Sequence, residues 1–172
     1  AVNLRLVFYT LGNLLICLAA AMLFPLLISV YYRYANGESD LQAFIYSVVI
    51  TFLVGFALRL MAKSEQGLGN KEGFAVVALG WAGIALFGSL PYLFHHVFQE
   101  NGRNGLVEFS FCYFESMSGF STTGATVLTE IEHLPHAMLF WRSLSHWLGG
   151  MGIVVLALAI LPMLGVGGMQ LY

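Results

Sequence analysis

The densest chemistry in this 172-residue chain is the run Gly119-Phe120-Ser121-Thr122-Thr123-Gly124-Ala125-Thr126. It is uncharged, rich in hydroxyls and punctuated by glycine. Gly124 can adopt φ values closed to residues with a Cβ, so backbone carbonyls around it can be turned to one side. Stacked carbonyls give a cation several partial negative charges in exchange for its water shell, without burying a full charge. Thr122, Thr123 and Thr126 add hydroxyl oxygens or tie the loop to its surroundings. Two acids precede the run, Glu108 and Glu115, spaced to share one face of a helix. Together they make a negative field that concentrates cations. The plainer reading of Glu115 is preferred: it accepts hydrogen bonds from loop N–H groups and holds the loop in shape. Glu108 lies nearer the entrance, where solvation suffices.

Other candidate groups carry less. His133 and His136 have a helix-like ligand spacing, but Pro135 intervenes and no Cys or Asp lies near. A redox protein ligating haem through His95, His133, His136 or His146 finds no supporting motif. His146 reads as a hydrogen-bonded packing residue, and His95, His96, Trp141 and Arg142 as anchors at a membrane–water boundary. Cys17 and Cys112 are too far apart in sequence to suggest a disulfide framework.

The elements that position these residues follow from composition. The chain is 59% hydrophobic and only 9% charged, where a soluble domain carries about 25% charged residues. Stretches free of acids, lysine and arginine run through Leu6–Tyr32, Leu41–Leu58, Gly73–Gln99 and Ser143–Tyr172. As helices they reach roughly 40, 27, 40 and 45 Å, against a hydrocarbon core near 30 Å. An all-α integral membrane protein in contact with lipid is expected. A net charge of −2 leaves no basic footprint for nucleic acid. The N-terminus mimics a signal peptide, but its apolar run continues to the aromatic and basic boundary Tyr31-Tyr32-Arg33, so a retained span is preferred.

Residues 1–72 therefore read as two transmembrane helices and a cytoplasmic loop. Residues 73–172 read as a helix over 73–98, a short helix over 106–118, a polar loop over 119–126 and a second long helix over 135–164. The short helix spans only about 20 Å, too little to cross. Pattern alone leaves two readings open, a re-entrant loop or an amphipathic helix on the membrane surface. The third span is rich in small residues, several of them, such as Ala75, Ala78 and Ala82, three or four positions apart, and these with Gly149, Gly150 and Gly152 in the last span suggest close helix packing. With an inside N-terminus, Arg5, Arg59, Lys63 and Lys71 lie inside and Arg33, Arg103 and Arg142 outside, a slight preference for that orientation.

The stretch Phe114–Thr126 resembles the first pore loop of the Trk/Ktr/HKT superfamily of potassium transporters. Trp147–Ala157 and Gly167–Tyr172 resemble the bacterial Trk branch, as do two spans ahead of the first pore unit. The resemblance covers essentially the whole chain. It implies four fused helix–pore-loop–helix repeats around a central pore, with one loop from each repeat forming the filter. On that basis Thr122 and Thr123 hold the positions whose oxygens coordinate K⁺, Gly124 is the filter glycine, and Ala125 and Thr126 complete the loop. Ser121 stands where threonine is common. Ser121, Glu115 and Glu108 would support the filter or attract cations. K⁺ is then the transported ion and no cofactor is implied. Activity would be transport, not enzymatic catalysis, in a bacterial inner membrane with a cytoplasmic N-terminus. One pore unit cannot close a ring, so the chain is expected to be a fragment of a longer polypeptide holding the other three repeats. A short form assembling with other chains, or a non-transporting membrane subunit, is the alternative. The resemblance also implies a homodimer and a cytosolic nucleotide-binding regulatory partner.

Overall fold

The computed structural model describes residues 3–61, 70–98 and 104–163, the side chains of 70 and 156–163 excepted. Helices α1 (Leu4–Asn36) and α2 (Leu41–Met61) form an antiparallel hairpin. Asn3 caps the start of α1 by accepting the Leu6 N–H, and Gly37 ends it in the left-handed region at φ 75° with its N–H on the Arg33 carbonyl. Pro25 lies inside α1, which runs through it without interruption. The two helices cross where Gly12 meets Gly55. A Cβ at Gly12 would stand 2.7 Å from the Gly55 carbonyl oxygen, so only glycine permits this approach. Asp40 precedes α2, but its carboxylate turns to accept the Ser29 hydroxyl at 2.7 Å instead of capping the helix.

The third span is not one helix over 73–98. Helix α3 (Asn70–Gly88) stops at Ser89, and the short α4 (Leu90–Phe94) continues at a break. Pro91 explains it, since a proline inside a helix removes one backbone donor and clashes with the preceding turn. Ser89 bridges the break, its hydroxyl donating to the Leu86 carbonyl at 2.7 Å. The Gly88 carbonyl accepts from the Trp141 indole N–H at 3.0 Å. α3 and α4 together, with α1 and α2, give three segments long and apolar enough to cross a membrane.

Helix α5 (Gly105–Phe120) packs against α3, α4 and the last helix, α6 (His136–Met163). Its C-terminal end is buried at Cys112, Glu115, Ser116, Ser118, Gly119 and Phe120. α5 is thus packed into the protein along one face and at its C-terminal end. It also runs two residues beyond the expected end, taking Gly119 and Phe120 out of the loop. Gly149 of α6 sits against the Phe120 backbone, where any Cβ would collide with the carbonyl. Gly149 is about 20 Å down the axis of α6 from His136. The chain thus descends along α5, turns deep beside α6, and returns to the end where α6 begins. The same end holds the α1–α2 turn, whose Glu38 accepts the His136 N–H at 3.1 Å. Residues 99–103, most of the loop that ends the first 72 residues, and the Gly167–Tyr172 stretch lie outside the described residues.

Candidate functional site

The loop after α5 is built by the way that helix ends. The Thr123 N–H donates to the Ser118 carbonyl and the Thr122 N–H to the Gly119 carbonyl, both at 3.0 Å. This nested pair is a Schellman C-cap with Thr122 in the position where glycine is usual. Thr122 pays sterically, with φ at 57°. A β-branched residue there is a true outlier, costing on the order of 1–3 kcal/mol. Gly124 follows at φ 76° with open space where a Cβ would stand, as its backbone freedom led one to expect. Two left-handed residues within three positions throw the backbone out of the helix and along α6.

Residues Ser121 to Thr126 are all exposed. Among the described residues, the carbonyls of Thr122, Thr123 and Gly124 accept no hydrogen bond. The Ser121 and Thr123 hydroxyls pair at 2.8 Å. Ala125 and Thr126 differ, because both are tied back to α5. The Ala125 carbonyl accepts the Ser118 hydroxyl at 2.6 Å. The Thr126 hydroxyl donates to both Glu115 oxygens, at 3.0 and 2.9 Å.

Glu115 is the centre of the support. It is only 2% exposed. Besides Thr126, its Oε2 accepts the Val127 N–H at 3.2 Å, and its Oε1 accepts the Arg142 Nε–H at 2.8 Å. The carboxylate thus grips the returning loop from one side and α6 from the other. Glu108 is not solvated. It is 8% exposed and its Oε1 lies 3.0 Å from His96 Nδ1, linking α5 to the turn after α4. His96 makes that turn at φ 53°. Burial holds the neighbouring His95 imidazole below its ordinary value, with His96 adding to the drop and Asp40 opposing it.

Trp141 and Arg142 do not serve as boundary anchors. Trp141 is fully buried, its ring edge-on to Phe120, while Arg142 turns to Glu115. Both needed partners distant in sequence, which periodicity cannot supply. The available signal for Arg142 was its place early in an apolar helix, where an unpaired cation is costly. His146 is a hydrogen-bonded packing residue, its Nδ1 2.8 Å from the Arg142 carbonyl. The histidines at 133 and 136 part company. His136 stacks on Tyr32 with ring centres 3.9 Å apart and meets Glu38, whereas His133 lies 3.8 Å from Glu130. Among the described residues no three His, Cys, Asp or Glu side chains gather as a metal site would require.

Comparison with known proteins agrees with this architecture. The Trk system potassium uptake protein TrkH of Escherichia coli K12 is 39% identical over 170 residues, covering 99% of this chain and 33% of that protein. TrkH of Halomonas elongata is 42% identical over 171 residues, with 99% and 33% covered. TrkG of Escherichia coli K12 is 33% identical over 171 residues, again with 99% and 33% covered. The chain spans about a third of the length of these curated relatives. The crystal structure of the potassium transporter TrkH from Vibrio parahaemolyticus superimposes with a TM-score of 0.83 at 34% identity, over 96% of this chain and 33% of that one. Two N-terminal helices followed by a helix–loop–helix unit are therefore a shared membrane fold. The family described as TrkH, cation transport protein, matches residues 40–172, and the chain belongs to it.

Proposed function

We propose that the full-length protein carrying this sequence takes up K⁺ across a bacterial inner membrane, and that residues 73–172 are its first pore repeat. The loop is one of four lining a selectivity filter. The observation that carries this reading is the exposed segment Thr122–Gly124, whose three carbonyls have no hydrogen-bond partner among the described residues. Non-helical backbone with unpartnered carbonyls is tolerated at membrane depth only where other protein covers it or it lines a watery cavity. A dehydrated K⁺ supplies the missing partner. Oxygens of Thr122 and Thr123 are the K⁺ ligands, and Gly124 lets the strand turn. Ala125 and Thr126 anchor the loop to α5. Ser121 supports it through Thr123, and Glu115 holds its return. Glu108, paired with His96, fixes the entrance of α5.

Names of relatives support transport and no enzymatic step: they are potassium uptake proteins. A cytoplasmic N-terminus fits the charge distribution better once Arg142 is removed from the loop count. Arg5, Arg59, Lys63 and Lys71 then oppose only Arg33 and Arg103. The three further repeats rest on the family resemblance and on the chain's one-third coverage of its relatives, the homodimer and the nucleotide-binding regulatory partner on the resemblance alone.

Gly124→Asp tests the assignment in the full-length protein. It places a charged side chain on a strained left-handed residue among the ligands. Rubidium uptake into reconstituted vesicles is expected to fall at least tenfold, with the protein still present at normal levels. Unchanged uptake and unchanged K⁺ over Na⁺ preference would remove this loop from the filter and favour a non-transporting role.

A further inference from the structure

We infer that Arg142 is a positioning residue for the pore loop, setting K⁺ over Na⁺ discrimination from α6 through Glu115. The inference rests on the filter reading above and adds a residue that the loop sequence does not contain. The chain of contacts is short and mostly buried. Arg142 Nε–H meets Glu115 Oε1 at 2.8 Å, and the same carboxylate takes the Thr126 hydroxyl at 2.9 Å and the Val127 N–H at 3.2 Å. The Glu115 side chain is 1% exposed and that of Arg142 21%.

Three donors from two segments converge on one carboxylate, so its position is fixed only when all three are present. Thr126 and Val127 follow Ala125, whose carbonyl the Ser118 hydroxyl already holds to α5 at 2.6 Å, and they add the second attachment of the loop's return. Their attachment decides how far that strand can relax outward. On the other side of the strand, Thr122 and Thr123 are fixed to the end of α5 by the Schellman bonds. The strand is therefore pinned at both ends, and the far pin reaches α6 through Arg142.

The local structure of α6 keeps Arg142 in place. Its carbonyl accepts the Ser145 hydroxyl at 2.7 Å and lies 2.8 Å from His146 Nδ1. Ser145 packs under Gly119, and Gly149 under Phe120. Residues 142, 145, 146 and 149 form one face of α6, which is the seat of the α5 terminus. Any shift of α6 along its axis thus moves the seat and the carboxylate grip together. Discrimination between ions of equal charge depends on where carbonyls are held, so a loosened pin lowers selectivity before it stops flux.

The test uses the full-length protein in vesicles, with rubidium and sodium uptake measured in parallel. Arg142→Gln keeps a shorter neutral donor and removes the charge; it is expected to lower the K⁺ over Na⁺ ratio about tenfold while rubidium uptake persists. Arg142→Lys, which restores a cation within reach of Glu115, should recover the ratio to within about threefold of the parent. Thr126→Val removes the hydroxyl half of the loop side of the same grip, leaves the Val127 N–H and the ion pair, and should lower the ratio in the same direction as Arg142→Gln. If Arg142→Gln does not accumulate as folded protein, Thr126→Val decides alone. A parental ratio in Thr126→Val, or in folded Arg142→Gln, overturns the inference. Gly124→Asp, run beside them, separates the two levels. If it abolishes uptake while the Arg142 and Thr126 variants keep the parental ratio, only the positioning role fails. If it leaves uptake and ratio intact, the filter reading fails as well.

Discussion

Thr122 is the residue at which local preference and structure disagree most. A threonine holds φ at 57° where the helix cap favours glycine. Strain of this kind persists only where surroundings enforce it, here two backbone hydrogen bonds to α5 and the nearby Gly150 of α6. Thr122→Gly should therefore stabilise the fold by about 1 kcal/mol, the strain relieved exceeding the added backbone freedom of the unfolded chain. Thermal unfolding in detergent measures this as a raised midpoint. A lowered midpoint would mean that the threonine side chain contributes more than its backbone costs. The left-handed Gly124 was legible in sequence because glycine advertises its own freedom. Thr122 was not, because nothing in a Ser-Thr-Thr run says which residue will be forced across.

At the scale of elements, hydrophobic run length located the spans because lipid imposes a minimum length on any helix that crosses it. It could not locate the break at Ser89, although Pro91 stood in view, since an apolar run reads the same whether its helix is whole or broken. Nor could it choose between a re-entrant and a surface α5. That choice depends on long-range contacts such as Gly149 with Phe120 and Trp141 with Gly88. The three glycines of α6 looked alike in sequence but are unequal in space. A Cβ at Gly149 collides with the Phe120 carbonyl, whereas at Gly150 the nearest atom, Thr122 Cγ2, is 3.8 Å away. Gly149→Ala should destabilise by about 1–3 kcal/mol through forced separation of α5 and α6. Gly150→Ala should be neutral or stabilise by up to about 1 kcal/mol through helix propensity. Detergent unfolding midpoints of the two variants give the comparison; equal shifts would contradict the seating of α5 on Gly149. Glu115 shows how far chemistry alone carried. Its need for loop donors was legible, but Arg142 as its third partner was not, because each buried charge announces a requirement without naming who meets it.

Across the whole molecule, polar contacts collect at two ends and around one interior site. At one end Asn3 N–H reaches Glu72, joining the starts of α1 and α3. At the other, Glu38 with His136 and Glu108 with His96 fasten the hairpin to α6 and α5 to α4. Between them, Glu115 and Arg142 brace the loop from within. This arrangement leaves Thr122–Gly124 exposed on one side and held to α5 on the other. Crystals of the full-length protein grown in rubidium, read by anomalous scattering, test the ligand assignment directly. The expected result is an ion peak in direct contact with the carbonyl oxygens of Thr122 and Thr123. A bound-ion peak along the pore that lies away from this loop, with none at those carbonyls, would contradict it.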